Sequence, residues 1–389
     1  MRTPFPGTLP MMLRSALPGL ALALALSAPP ATAQTAEELA YGPQTDWEEV
    51  SGEINLSSFV YLDVNESGAY DVGDRPMAAV FTALAKDGLG VGASMSNANG
   101  YANFKSSVLR DDAIIDGSGT YTFQIMVPPG WRATSGNDEQ IIPIEQVPGH
   151  MGGHRLTTML EPVGLAPVRA IRGIWGGTAP ATLAVTRDGQ PMAETTVEPG
   201  ASFGFLLKSP GTYRLQAGEI ARDVTVGFYP VNVGTLRQGE DLRPALPPIT
   251  FDDIAPNGLL KVPSGYGGVK WRDLNMIARS FTRGSQGFVN GASSGDRTAY
   301  TTNTRPGQIL SDEPFDLHAM NLSIAWRDAE GQIAIVEAWR GEEKVAEDRV
   351  PLSVLGPVTY APGLAGLTRV QVTPEHGWQI VFDDVVIAK

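Results

Sequence analysis

The sequence predicts an all-β protein, built as tandem antiparallel β-sandwich modules behind an export segment. Three observations predict it. The 389-residue chain carries 44 Gly and 30 Pro, a density that disfavours long helices and suits short strands joined by tight turns. Apolar residues alternate with polar ones over short runs, as in Gly119-Thr120-Tyr121-Thr122-Phe123-Gln124-Ile125, which is the two-residue period of a half-buried strand. Turn signals such as Lys86-Asp87-Gly88, Arg187-Asp188-Gly189 and Ser209-Pro210-Gly211 punctuate these runs.

Residues 1–33 read as a signal peptide. Arg2 and Arg14 give a positive start, Leu and Ala alternate from Leu20 to Leu26, and Ala31-Thr32-Ala33 matches a small-residue cleavage site. Adjacent arginines are absent, which fits general secretion. No other apolar run reaches the roughly 18–20 residues needed to cross a bilayer. The sequence closes at Lys389 without a hydrophobic tail, so the expected mature chain is exported and does not span a membrane. The expected location is extracellular or cell-surface, with the periplasm as the other compartment.

The formal net charge of −13 sets the acidic chain against nucleic acid and anionic membranes, which repel it, and in favour of divalent cations. Zero cysteines remove disulfides as a stabilising device, a role that bound metal can take in an exported protein.

Residues 34–50 read as a linker. From Ser51 the pattern becomes that of strands. A loop follows at once: Asp63-Val64-Asn65-Glu66-Ser67-Gly68-Ala69-Tyr70-Asp71-Val72-Gly73-Asp74. Oxygen-bearing side chains fall at its positions 1, 3, 5, 9 and 12, Gly68 stands at position 6 where a calcium loop turns sharply, and Ala69 at position 7 offers its carbonyl. Calcium is thus the expected cofactor, held by Asp63, Asn65, Ser67, Ala69, Asp71 and Asp74. A solvated Asx-rich turn is the alternative.

A strand, this loop, a second strand, the Asn99-Gly100-Tyr101 turn, the Gly119-Thr120-Tyr121-Thr122-Phe123 strand and Pro129-Gly130-Trp131 follow in order. Over residues 51–160 this resembles the calcium-binding B-type domain of serine–aspartate-repeat bacterial surface proteins. The resemblance implies an antiparallel β-sandwich of a rigid surface stalk, with Asp63, Asn65, Asp71 and Asp74 as ligands. Two departures stand out: Arg75-Pro76-Met77-Ala78-Ala79 replaces a Gly-rich stretch, and Lys105 to Gly117 reads as an insertion.

Residues 161–247 read as a small sandwich spacer with no oxygen cage. Residues 248–389, with Thr250-Phe251-Asp252-Asp253-Ile254, the Gly-rich run to Trp271, and Val381-Phe382-Asp383-Asp384-Val385, resemble a jelly-roll β-sandwich of secreted bacterial proteins. Both faces around Phe382 are apolar, so one aspartate of the closing pair must face packed side chains, at a cost unless paired or metal-bound. Asp252, Asp253, Asp383 and Asp384 are therefore candidate ligands of a second cation, or else solvated aspartates guarding a strand edge.

Tyr266 and Trp271 are candidate ligand-binding residues, a stacking platform for sugar, or plugs at the end of the sandwich. Gly291-Ala292-Ser293-Ser294-Gly295 matches a nucleophile elbow, but the β-prone sequence after it gives no helix, so a flexible loop is expected. His150 and His154 stand four apart among glycines, which argues against a zinc helix. No catalytic residue is assigned. The expected function is a non-enzymatic cell-surface or extracellular-matrix protein of the adhesion type. The alternative is carbohydrate binding through the third region, with glycoside hydrolase or lyase chemistry behind it. The expected partners are a polysaccharide or another surface protein; nothing in the residues fixes an oligomeric state.

Overall fold

Runs of period two become strands wherever one face can be buried. The computed structural model describes residues 55–105, 114–146, 154–156, 158–254, 258–282, 286–302 and 305–389. The export segment, the linker 34–50 and His150 lie outside them.

The first region holds β1 (Asn55–Leu62), β2 (Arg75–Pro76), β3 (Phe81–Lys86), β4 (Leu89–Met95), β5 (Tyr101–Lys105), β6 (Gly119–Ile125), β7 (Trp131–Ala133), β8 (Glu139–Gln146), β9 (His154–Leu156) and β10 (Val163–Pro167). One sheet runs β2-β1-β10-β7 with β5 also on β1; the other runs β4-β3-β6-β8-β9. Along β6, Tyr121, Phe123 and Ile125 are buried while Thr120 and Gln124 are exposed, as the alternation requires. These side chains meet Leu56, Val60, Phe104 and Val163, all fully buried, in one core. β10 lies beyond the boundary expected at residue 160, yet it pairs in parallel with β1, Val60 opposite Val163 and Leu62 opposite Leu165.

The second region holds β11 (Ala170–Trp175), β12 (Ala181–Arg187), β13 (Gln190–Val197), β14 (Ser202–Leu206), β15 (Gly211–Ala217), β16 (Ile220–Val226) and β17 (Val231–Leu236). The sheet β13-β12-β15-β16 and the strands β14-β11-β17 share a core that includes Leu183, Val185, Tyr213, Leu215, Phe205 and Val233.

The third region holds β18 (Leu259–Lys261), β19 (Lys270–Arg272), β20 (Leu274–Ala278), α1 (Gln286–Asn290), β21 (Arg297–Thr301), β22 (Gly307–Ile324), β23 (Ile333–Arg340), β24 (Glu343–Pro351), β25 (Val358–Tyr360), β26 (Leu364–Pro374) and β27 (Ile380–Ala388). β22 is 18 residues long and shifts register between Leu310 and Asn321, so its first half serves β19 and β26 and its second half β25 and β27. The start of this region returns to its end: Ile249 and Val385 exchange backbone hydrogen bonds of 2.9 and 3.1 Å.

The chain is thus all-β, with several sheets. Its strand pairs are antiparallel except for β1–β10, β11–β17 and β17–β25. The last of these carries β14-β11-β17 onward into the sheet of the third region.

Two buried carboxylates fix that continuity. Asp348, 1% exposed, accepts from Thr235 N–H at 2.9 Å, from both Arg237 Nη atoms at 3.0 and 2.8 Å, and from Tyr360 O–H at 2.8 Å. Burial pushes its pKa up, but the bonds and charge of Arg237 outweigh that and hold it below the usual range. Asp316 accepts from Arg243 N, Nε and Nη2 and from Gly366 N–H at 2.6–3.0 Å, and Arg243 holds its carboxyl well below the ordinary value.

Candidate functional site

The oxygen loop hangs between β1 and β2, and its carboxylates are occupied by its own donors. Asp63 is fully buried; its Oδ1 accepts from Ser67 N–H at 3.0 Å and its Oδ2 from Gly68 N–H at 2.8 Å. Asp74 accepts from Val64 N–H at 2.9 Å and Asp71 N–H at 3.1 Å. Asn65 Nδ2 donates to Asp71 at 2.9 Å, and Ser67 Oγ lies 3.0 Å from both Asp71 Oδ2 and the Ala69 carbonyl. Burial, then repulsion from Asp63 and Asp71, raises the pKa of Asp74 against the pull of its two N–H donors. The same three charges, after burial, raise Tyr61, whose hydroxyl is buried without a partner.

Among the described residues, no three His, Cys, Asp or Glu side chains form a metal-binding group. The donor chemistry nevertheless suits calcium. All six expected positions bear oxygen, the carboxylate oxygens of Asp63 and Asp74 each keep a second lone pair while Asp71 Oδ2 accepts from both Asn65 Nδ2 and Ser67 Oγ, and among the described residues Asp63, Asp71 and Asp74 have no cationic side chain in ion-pair contact.

What the sequence did not reveal is how the loop is tied down. Glu66, which is no ligand, pairs with both Arg132 of β7 and Arg169. Arg75, next after the loop, donates to the carbonyls of Ala292 and Ser293 in the third region.

The four aspartates of the third region each take hydrogen-bond donors of the protein. Asp383 is fully buried and its Oδ2 accepts from Ser293 N–H at 2.7 Å and Ser294 N–H at 3.0 Å. Asp384 accepts from Ser293 Oγ and Ser294 Oγ, both at 2.7 Å, and from Asn321 Nδ2 at 3.1 Å. Asp252 Oδ1 accepts from Asp296 N–H at 2.7 Å and Arg297 N–H at 3.0 Å, while Asp253 takes the hydroxyl of Tyr266 at 2.5 Å. N–H and O–H donors from Ser293 to Arg297 thus serve three of the carboxylates expected to hold a second cation. Burial, then the neighbouring Asp384, pushes Asp383 well above the usual carboxylate range, opposed by those N–H groups.

The Gly-x-Ser-x-Gly segment is accordingly an anchor rather than a free loop. It follows a helix and precedes a strand, the reverse of a nucleophile elbow, and neither His318 nor His376 is a hydrogen-bond partner of Ser293. Gly295 has φ +46° and a Cβ there would stand 2.1 Å from the Asp252 carboxyl, so the turn needs glycine. His154 opens β9, an extended strand, not a helix.

Trp271 and Tyr266 form no open platform. Trp271 is 8% exposed, its ring edge-on to Phe251 and its Nε1 bonded to the Tyr266 carbonyl at 2.8 Å. Tyr266 leans on Phe251 with centroids 5.7 Å apart. Both plug the end of the sandwich.

The open concavity is elsewhere. A cleft of about 720 Å³ lies where the three regions meet, lined by Trp131, Arg172, Phe203, Asn232, Leu352 and Val358 among others, and its size is that of small-ligand sites. Arg172 is exposed and makes no hydrogen bond or ion pair among the described residues. Asn232, 6% exposed, uses its Oδ1 on Gly234 N–H at 2.8 Å, and its amide nitrogen has no hydrogen-bond partner among the described residues.

No helix among the described residues is long and apolar enough to cross a membrane. No family model matches the chain and no curated protein matches it. Solved structures with some likeness include the Streptococcal ancillary pilin, 12% identical over 46% of this chain and 59% of that one, TM-score 0.22. The chain thus spans less than two thirds of that pilin. The major pilin subunit of Bacillus cereus is 12% identical over 84% of this chain and 87% of its own, TM-score 0.21. The M60 catalytic domain with CBM51-1 and CBM51-2 domains from Clostridium perfringens is 11% identical over 87% and 33%, TM-score 0.25. Scores this low do not establish a shared fold.

Proposed function

We propose that the chain is a secreted, non-enzymatic surface protein of the adhesion or matrix type, its first sandwich stiffened by calcium at Asp63, Asn65, Ser67, Ala69, Asp71 and Asp74. One observation carries the reading: three carboxylates share a loop without a cationic partner among the described residues, while residues inside and just after that loop are clamped to the rest of the molecule. A bound divalent cation would neutralise Asp63, Asp71 and Asp74, whose repulsion otherwise loosens the loop. Glu66, through Arg132 and Arg169, and Arg75, through the Ser293 loop, carry that stiffness onward. Extracellular sites often bind with Kd of about 10⁻⁴–10⁻³ M, and calcium at ten times Kd adds about 1.4 kcal/mol. Thermal melts with chelator and with millimolar calcium test this. The midpoint rises with calcium in the natural chain and not in Asp63→Ala; identical melts in all four samples would refute it.

A second reading has its own observation. The cleft at the meeting of the three regions combines an aromatic face at Trp131, an unpaired guanidinium at Arg172 and a free amide at Asn232, the mixture that fits a polysaccharide segment. A glycan array with the natural chain and Arg172→Ala tests it. Arg172 is exposed, so its loss spares folding; selective hits that disappear in the variant support the cleft, and no selective hit in the natural chain sinks it.

A further inference from the structure

Beside the cleft, and sharing Trp131 and Gly356 with it, is a second cavity of about 10 Å³, bounded by Arg75, Arg279, Tyr229 and Asn290. This is room for one guest the size of a water or a halide. Its polar lining is lopsided. Arg75 gives two N–H groups to backbone carbonyls of Ala292 and Ser293. Arg279 has a single long contact, 3.4 Å to the Pro76 carbonyl. Neither guanidinium has a carboxylate in ion-pair contact among the described residues. Tyr229 is 7% exposed and its hydroxyl has no hydrogen-bond partner. Asn290 cannot compensate, because its amide is spent on Ala78 N–H and on the carbonyls of Ala78 and Val354 at 2.9–3.0 Å.

Two of the acids that act on this group are engaged. Asp383 and Asp384 are held by Ser293, Ser294 and Asn321, and they influence Tyr229 only through space. Asp296 acts on Arg279 in the same way. The two arginines repel each other, which, after burial, lowers the affinity of Arg279 for its proton. A partly buried pair of like charges with a spare O–H donor is costly unless an acceptor with negative charge sits among them.

We infer that this cavity binds a small monovalent anion of halide size, chloride in the usual ionic milieu, held by Arg75, Arg279 and the Tyr229 hydroxyl. The site lies where β2 of the first region, Tyr229 of the second and, from the third, Arg279 with Val289, Asn290 and Ala292 come together, so occupancy joins all three. Its ligand set includes none of the proposed calcium ligands and neither Arg172 nor Asn232 of the cleft.

The test compares thermal midpoints in sodium chloride and in sodium gluconate at equal ionic strength, gluconate being too large for the cavity. The expected midpoint rises by about 2–4 °C for each tenfold increase of chloride above its Kd and does not move with gluconate. Tyr229→Phe, which keeps the ring, reduces the chloride slope, and crystals soaked in bromide show anomalous density between Arg75 and Arg279. Equal responses to the two salts, with water alone in the cavity, would overturn the inference. So would a chloride-specific rise that Tyr229→Phe leaves intact with no bromide at this position.

Discussion

Replacing Asp348 with Ala is expected to loosen the seam between the second and third regions more than any surface change. The carboxylate is 1% exposed and receives four donors, from Thr235, Arg237 and Tyr360. Truncation leaves Tyr360, which is fully buried, with an orphaned hydroxyl and strips Arg237 of its counter-charge. Removing one partner of a buried pair costs about 3–5 kcal/mol, which corresponds to a midpoint drop of roughly 6–20 °C.

A second substitution sharpens the test. Gly234 has φ +69° and a Cβ there would lie 2.1 Å from Asp348 Oδ2, so Gly234→Ala must displace the same carboxylate. In the Asp348→Ala background that clash is gone and only the backbone cost of about 1–2 kcal/mol remains. The pair is therefore non-additive, the double variant being more stable than the sum by at least about 1 kcal/mol. Urea unfolding of the four chains measures the cycle. A loss below about 1 kcal/mol for Asp348→Ala, or strict additivity, would show that the seam is held by something else.

Two further outcomes follow from the same contacts. Asp316 and Asp348 have folded pKa values below the unfolded carboxylate value, near 3.9. The stability they contribute is therefore present above about pH 4 and is lost as pH falls through their depressed values; Asp316→Asn should flatten the acid limb of a stability–pH curve, and an unchanged limb would count against the Arg243 pairing. Ser293→Ala removes a hydroxyl lying 2.7 Å from Asp384 and accepting from Asn321 at 2.9 Å; a loss of about 1–3 kcal/mol is expected in urea, with calcium response intact, whereas loss of the calcium response would tie this loop to the metal site directly.

Local pattern made the strands legible. β6 alternates cleanly because one of its faces looks into a core and the other into water, and the Asp–Asn–Ser spacing of residues 63–74 marks a loop rich in oxygen. Pairing between distant strands left no such trace. β10 joins β1 across a hundred residues, and β17 joins β25 across more, so no boundary can be read from the composition between them. The closing aspartates did announce a need for partners, since both faces of their strand are apolar. They did not say that backbone N–H groups of the Ser293–Arg297 turn would meet it. Trp271 misled for a related reason: a Gly-rich neighbourhood suggests exposure, while Phe251 and the Tyr266 carbonyl enclose the ring. The cleft and its small neighbour are made by three regions at once, and no single stretch of sequence encodes them.

The parallel seam between β17 and β25 also bears on how the chain is made. Val231 waits for Thr359, which leaves the ribosome roughly 6–25 s later at ordinary rates of synthesis. Throughout that interval β17 has one unpaired side, an invitation to foreign strands. Whatever escorts the nascent polypeptide must shield that edge until the last tenth of the chain arrives.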